Sequence, residues 1–244
     1  MSVPDLLLVS LYPDLLRTYG DRGTVLTLRQ RAEWRGFDVR VEEVSRGDRL
    51  PPGANIVLIG GGTDRVQVLV GRDLRSSATE LADAAAAGCV ILGICGGFQL
   101  LGRNYVATDG ASIEGIGLLD VTTTAPASGR IVGRVRAHGE LWNRTFELFG
   151  FENHGGRTHL GSAASPLATT GKGHGNNGKD RTEGAVQRTV IGTYLHGPVL
   201  PVNPAFADAL LERALAPRTG GGPLPPLDDG LEDAARREAQ HRRR

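Results

Sequence analysis

Along the first hundred residues, short continuous apolar runs alternate with stretches in which apolar residues recur at helical spacing. Runs at 5–11, 55–59 and 90–94 predict strands buried on both faces, and 38–44 predicts another. Helical spacing at 22–35, with Asp21 available as its cap and Gly36 after it, predicts one helix; 76–87, ended by Gly88, predicts a second. Strands alternating with helices give an α/β fold with a mostly parallel sheet flanked by helices, and such sheets bind ligands at the carboxyl ends of their strands. From about Ile116 the pattern shortens to β-like stretches at 118–123, 131–135 and 146–150, which predict antiparallel additions. A β-branched run at 190–193 and helical spacing at 203–215 follow. The segment 171–178 reads as a surface turn or flexible loop, with His174 a solvated residue in it. Residues 217–226 form a Gly/Pro linker, and 231–244 a charged tail that is either a short helix or disordered. The expected division is one domain over 1–216, then a linker and tail over 217–244.

Composition narrows the function classes. A chain of 244 residues with 40% hydrophobic content can bury a sizeable core, and a net charge of +1 leaves no nucleic-acid footprint. The two cysteines, Cys89 and Cys95, suit neither a zinc site nor a redox pair, so no metal site is expected. Cys89 falls inside an apolar strand and reads as core. The run at Leu6 to Val9 is too short to span a membrane and has no basic leader, which reads as a cytoplasmic chain with no membrane anchor of its own.

Candidate chemistry concentrates at Gly93-Ile94-Cys95-Gly96-Gly97-Phe98-Gln99, directly after the buried run. Small glycines permit a sharp turn that exposes the thiol beside the first N–H groups of a helix, where thiolate and oxyanion are favoured. That is the build of a nucleophile elbow, although a Cys among glycines can equally be a half-buried thiol at an ordinary turn. His196, in Gly192-Thr193-Tyr194-Leu195-His196-Gly197-Pro198, follows a short strand and has the titration range of a general base. Gly60-Gly61-Gly62 lacks the Lys and Ser/Thr of a phosphate-binding loop; it is an anion-binding turn or simply a tight one.

The Gly-Ile-Cys-Gly-Gly-Phe-Gln-Leu-Leu-Gly turn and the Gly-Thr-Tyr-Leu-His-Gly-Pro segment resemble those of class I glutamine amidotransferases, in the branch related to cobyric acid synthase. Tyr19-Gly20-Asp21-Arg22-Gly23, Gly60-Gly61-Gly62-Thr63-Asp64-Arg65 and Phe151-Glu152-Asn153-His154-Gly155-Gly156-Arg157-Thr158 are similar to the glutaminase subunits of two-subunit lipid II isoglutaminyl synthases. The resemblance covers nearly the whole chain. It implies a glutaminase in which Cys95 is the nucleophile, His196 the acid and base, and the N–H groups of Gly62 (or Gly61) and Gly96 the oxyanion hole. By the same resemblance Arg130 would hold the glutamine carboxylate, Gln99 would contact substrate, and Asn153 and His154 would line the pocket, with His154 the rival to His196 as base. Without the resemblance, Arg130 is an ordinary solvated residue at a strand start.

The implied partner is a Mur-ligase-like subunit, MurT, in a heterodimer. It would take ammonia from L-glutamine and, with its own ATP and magnesium, amidate lipid II, at the inner face of the membrane through that substrate. This chain itself needs no cofactor. One departure matters: where many class I glutaminases have Glu two residues after the His, Pro198 stands here. The carboxylate that orients His196 must come from a partner Asp, or internally from Asp64 or Glu152. Other readings are the glutaminase part of a corrinoid amidase, a cysteine peptidase of similar fold, and an inactive amidotransferase-like binding module.

Overall fold

The computed structural model describes residues 4–16, 21–106, 110–126 and 129–241. Tyr19 and Gly20 of the Tyr-Gly-Asp-Arg-Gly run, and residues 242–244 of the charged tail, lie outside the described residues. The chain opens as β1 (Leu6–Leu11), α1 (Asp21–Glu33), β2 (Val39–Val44), β3 (Ile56–Ile59), α2 (Asp64–Ser76), α3 (Ala78–Ala86), β4 (Val90–Ile94) and α4 (Gly96–Leu101). Alternation along β1 shows why helices are needed on both faces. Leu6 and Leu8 enter a core with α1 and the late helix α5, introduced below, whereas Leu7 and Val9 enter one with α2, α3 and α4. The sequence predicts one helix at 76–87; α3 stands there, and α2, which buries Val70 and Leu74, precedes it from Asp64 as a helix not predicted.

Short strands follow: β5 (Asn104–Val106), β6 (Ser112–Glu114) and β7 (Val121–Thr124). They lead to a long hairpin of β8 (Ile131–Leu141) and β9 (Arg144–His154). Trp142 and Asn143 join the two strands with positive φ at both positions (49° and 66°), the geometry of a tight hairpin turn. Both strands are about twice the predicted length: β8 continues with regularly alternating exposed residues, and β9 pairs with it along its whole length. The chain closes with β10 (Arg157–Leu160), β11 (Ala168–Thr169), β12 (Thr182–Glu183), β13 (Ala185–Gln187), β14 (Val190–Thr193), α5 (Pro204–Thr219) and α6 (Gly230–His241).

The main sheet runs β13-β14-β4-β3-β1-β2 and is parallel except for β13. Two four-stranded sheets carry the additions: β12-β11-β8-β9 is antiparallel as expected, whereas β10-β7-β5-β6 is mixed, with β5 and β7 parallel. The Gly/Pro stretch is not an open linker: α5 continues to Thr219, Leu224 is buried, and its N–H donates to Glu212 at 3.1 Å. The tail beyond it is helical as α6. The carboxyl ends of β3, β4 and β14 lie side by side, and the loops leaving them carry Gly60–Gly62, Cys95 and His196.

Candidate active site

Cys95 leaves β4 with φ 51° and ψ −101°, a conformation that L-residues avoid and that a strand-to-helix elbow imposes. Its N–H donates to Thr193 O at 2.8 Å, and its C=O accepts the Gln99 N–H at 3.0 Å, so the strained residue is fixed from the sheet and from α4. Gly97 is obligatory here, because a Cβ on it would lie 2.2 Å from Ile59 O. The helix thereby approaches β3 closely enough for the Gly97 N–H to bond Gly60 O at 3.1 Å.

His196 is held by its backbone against the end of β9: its N–H donates to Phe151 O at 2.8 Å and its C=O accepts from Phe151 N at 3.2 Å. The segment before it is braced by buried Glu183, which accepts from the Thr193 hydroxyl at 2.9 Å and the Tyr194 N–H at 2.7 Å. Gly61 lies between the two reactive side chains; a Cβ on it would meet His196 Cε1 at 3.4 Å and Cys95 Cβ at 3.5 Å. Gly96 faces Gly62, whose N lies 3.0 Å from where a Gly96 Cβ would stand, so the two predicted oxyanion residues are adjacent.

A cavity of about 520 Å³ is lined by Cys95, His196, Gly62, Gln99, Arg130, Asn153 and His154, every predicted site residue except the buried Gly96. The Arg130 guanidinium donates at 2.8 Å to both Asn153 Oδ1 and Asn153 O, which locks the cation to the cavity rim. Gln99 Nε2 donates to the Tyr194 hydroxyl at 3.1 Å. His154 stacks on the Tyr194 ring (centroids 3.6 Å, planes 8° apart) and bonds Gly156 O through Nδ1 at 2.9 Å.

The protonation states depart from the sequence reading. Burial pushes the Cys95 thiol up to about 12; the Gly96 N–H pulls the other way, and Asp21 and Asp64 add to the rise. Helix α4, at six residues, is too short for its terminus to prevail. Burial pulls His196 down to about 4, assisted by His154 and Arg130. Thiol and imidazole are both neutral at rest.

Both internal carboxylates named above have other partners. Asp64 accepts from the Tyr105 hydroxyl at 3.2 Å. Glu152, buried, bonds the His174 ring and accepts the Gly175 N–H at 2.9 Å. His174 is therefore no solvated loop residue: residues 171–178 fold back over Glu152 and bury Asn176 and Asn177. Asp21 is the first residue of α1, and its carboxylate accepts the Gly61 N–H at 2.7 Å.

Gln67 also lines the cavity, buried, with its Nε2 on Gly62 O at 3.3 Å and Oε1 without a hydrogen-bond partner. Sequence reasoning missed it together with α2; the spacing of Val66, Val70 and Leu74 was the available signal.

Residues 8–204 match the model of the CobB/CobQ-like glutamine amidotransferase domain. The chain belongs to that family. Among these amidotransferases it is 39% identical over 202 residues, 82% of this chain and 81% of the relative, to the GatD subunit of lipid II isoglutaminyl synthase (glutamine-hydrolyzing) from Staphylococcus aureus. The Streptococcus pneumoniae GatD is 38% identical over 91% of this chain and 85% of its own. A probable cobyric acid synthase of Methanopyrus kandleri is 35% identical over 83% of this chain but only 41% of that relative. The fold is also that of PurLQS from Thermotoga maritima, with TM-score 0.62, 20% identity, and 89% of this chain and 100% of that one covered. For this amidotransferase, no described helix is long and apolar enough to cross a membrane.

Proposed function

We propose that this chain is the glutaminase subunit of a two-subunit synthase that amidates lipid II. The observation that carries the chemistry is one cavity lined by a strained Cys95, His196 and Gly62, with Gly96 adjacent to Gly62 and Arg130 at its rim. Similarity to GatD over most of both chains supports the acceptor.

In the reaction, the guanidinium of Arg130 holds the glutamine α-carboxylate. His196 takes the proton of the Cys95 thiol as sulfur attacks the side-chain amide carbon, and the Gly62 and Gly96 N–H groups hold the resulting oxyanion. Collapse breaks the C–N bond, and His196 returns the proton to the departing ammonia. A water deprotonated by His196 then attacks the thioester, releasing glutamate and restoring the thiol. Ammonia passes to a Mur-ligase-like partner, MurT, where ATP turns the α-carboxylate of D-glutamate in lipid II into an acyl phosphate; amidation yields D-isoglutamine.

Burial, with His154 and Arg130, opposes protonation of His196. Similarity to the GatD subunits of a larger synthase supports an Asp of the partner completing the site by stabilising the imidazolium, so that the subunit works fully only when docked. The test is hydrolysis of glutamine by the chain alone and with the partner. Stimulation by the partner is expected; full activity alone, unchanged by the partner, would contradict a shared site. Cobyric acid synthases match at similar identity, so a corrinoid acceptor is the comparison arm in any transfer assay.

A further inference from the structure

Resting on the glutaminase reading, we propose that Asp21 is a positioning residue for the oxyanion hole: its carboxylate captures the Gly61 N–H and so leaves the next amide, that of Gly62, turned toward the substrate. Three successive glycines have no side chains to choose among backbone conformations, and a peptide in such a loop can rotate at little cost unless it is held from outside. Rotation here would matter, because it would replace one donor by its neighbour at the reacting oxygen.

The loop is held on both sides of the amide in question. The Gly60–Gly61 peptide is fixed at both its polar atoms: Gly60 O accepts from the Gly97 N–H at 3.1 Å, and the Gly61 N–H donates to Asp21 Oδ2 at 2.7 Å. On the far side, Gly62 O accepts from Gln67 Nε2 at 3.3 Å, and Thr63 O accepts from the Gln67 N–H at 2.9 Å. The peptide between them carries the Gly62 N–H, and its orientation follows from its clamped neighbours. Asp21 is packed flush against the loop, for a Cβ on Gly60 would stand 2.7 Å from Asp21 Oδ2 and 2.1 Å from Leu16 O. Among the described residues the Gly61 N–H is the one hydrogen-bond donor to this buried carboxylate, and burying a carboxylate for so little is costly, which marks that bond as one whose geometry matters. Asp21 is not among the residues lining the substrate cavity, so it acts through Gly61 rather than on substrate.

The experiment is steady-state glutamine hydrolysis by the full chain assembled with its partner, comparing wild type, Asp21→Ala, Asp21→Asn and Cys95→Ala. Deleting an oxyanion donor costs about 100- to 1000-fold in kcat, so misplacing one in Asp21→Ala should cost about 10- to 100-fold, with KM within about twofold. Asp21→Asn keeps an acceptor oxygen at the same reach and should retain activity within about threefold of wild type. In amide NMR spectra, the Gly61 proton should move upfield in Asp21→Ala and stay near its place in Asp21→Asn. If Asp21→Ala does not fold, Asp21→Ser, too short to reach Gly61, takes its place. An unchanged kcat in Asp21→Ala, a loss carried by KM, or an Asp21→Asn as impaired as Asp21→Ala would overturn the inference. Wild type and Cys95→Ala hydrolysing glutamine alike would instead overturn the glutaminase reading and this inference with it; an active wild type, a dead Cys95→Ala and an unaffected Asp21→Ala would overturn this inference alone.

Discussion

A thiol pushed up to about 12 beside an imidazole pulled down to about 4 is a site that waits for its substrate in the neutral state. Iodoacetamide reacts with the thiolate, so alkylation of Cys95 in the isolated chain should be slow at neutral pH and climb steadily toward pH 12. Fragment-ion mass spectrometry assigns the label, because Cys89, which burial likewise pushes up to about 12, shares the stretch between Arg75 and Arg103 with Cys95. A fast plateau between about pH 5 and 8 would instead reveal a thiolate–imidazolium pair at rest, the state that a helix N-terminus suggests from sequence alone. Glu183 makes a second residue-scale prediction. Burial lifts its carboxyl from 4.5 to about 7, with Glu152 nearby adding to the rise. Between those values the folded chain holds a proton that the unfolded chain has lost, so stability from this group falls as pH rises through that window. Glu183→Gln, which keeps the acceptor for Thr193 and Tyr194, should therefore gain in Tm relative to wild type between pH 4.5 and pH 8. A difference independent of pH would contradict a buried, titrating Glu183.

The elbow is the element on which the site depends, and its tolerance is set by how closely α4 approaches β3. Gly97→Ala places a methyl 2.2 Å from a backbone oxygen and should destabilise by about 1–3 kcal/mol or more in urea titrations, whereas Gly171→Ala, with nothing within 4 Å of its Cβ position, should change little. Equal stability of the two variants would mean that the helix does not pack as described. This element was legible in sequence because a buried run, three glycines and a Cys leave few other conformations. Helix α2 was missed: beside Val70 and Leu74 its buried stripe holds Gln67 and Gly71, which thin the apolar pattern. The Gly/Asn-rich segment 171–178 was misread for a different reason: what packs it is Glu152, far away in sequence, and composition cannot announce such a partner. Asp21 follows the same rule, being helix-cap chemistry in sequence and a loop clamp forty residues away in space.

For the whole molecule, the topology brings Cys95, His196 and the glycine loop together from the ends of three neighbouring strands, while Arg130, Asn153 and His154 arrive on the added hairpin. On the proposed function, that division separates bond-breaking groups on the main sheet from substrate-holding groups outside it. Arg130→Ala should accordingly raise KM for glutamine by about 10-fold or more while the Cys95 chemistry persists, because a charge-assisted bond to the α-carboxylate is lost. A kcat loss without a KM change would move Arg130 out of the binding role. The account's central claim is tested most directly by amide transfer from isotopically labelled glutamine to lipid II, with ATP and the Mur-ligase-like partner, in wild type and Cys95→Ala. Wild type should label lipid II, and Cys95→Ala should do so only when free labelled ammonia is supplied. Labelled lipid II formed from glutamine by Cys95→Ala, or none formed by wild type, would contradict it.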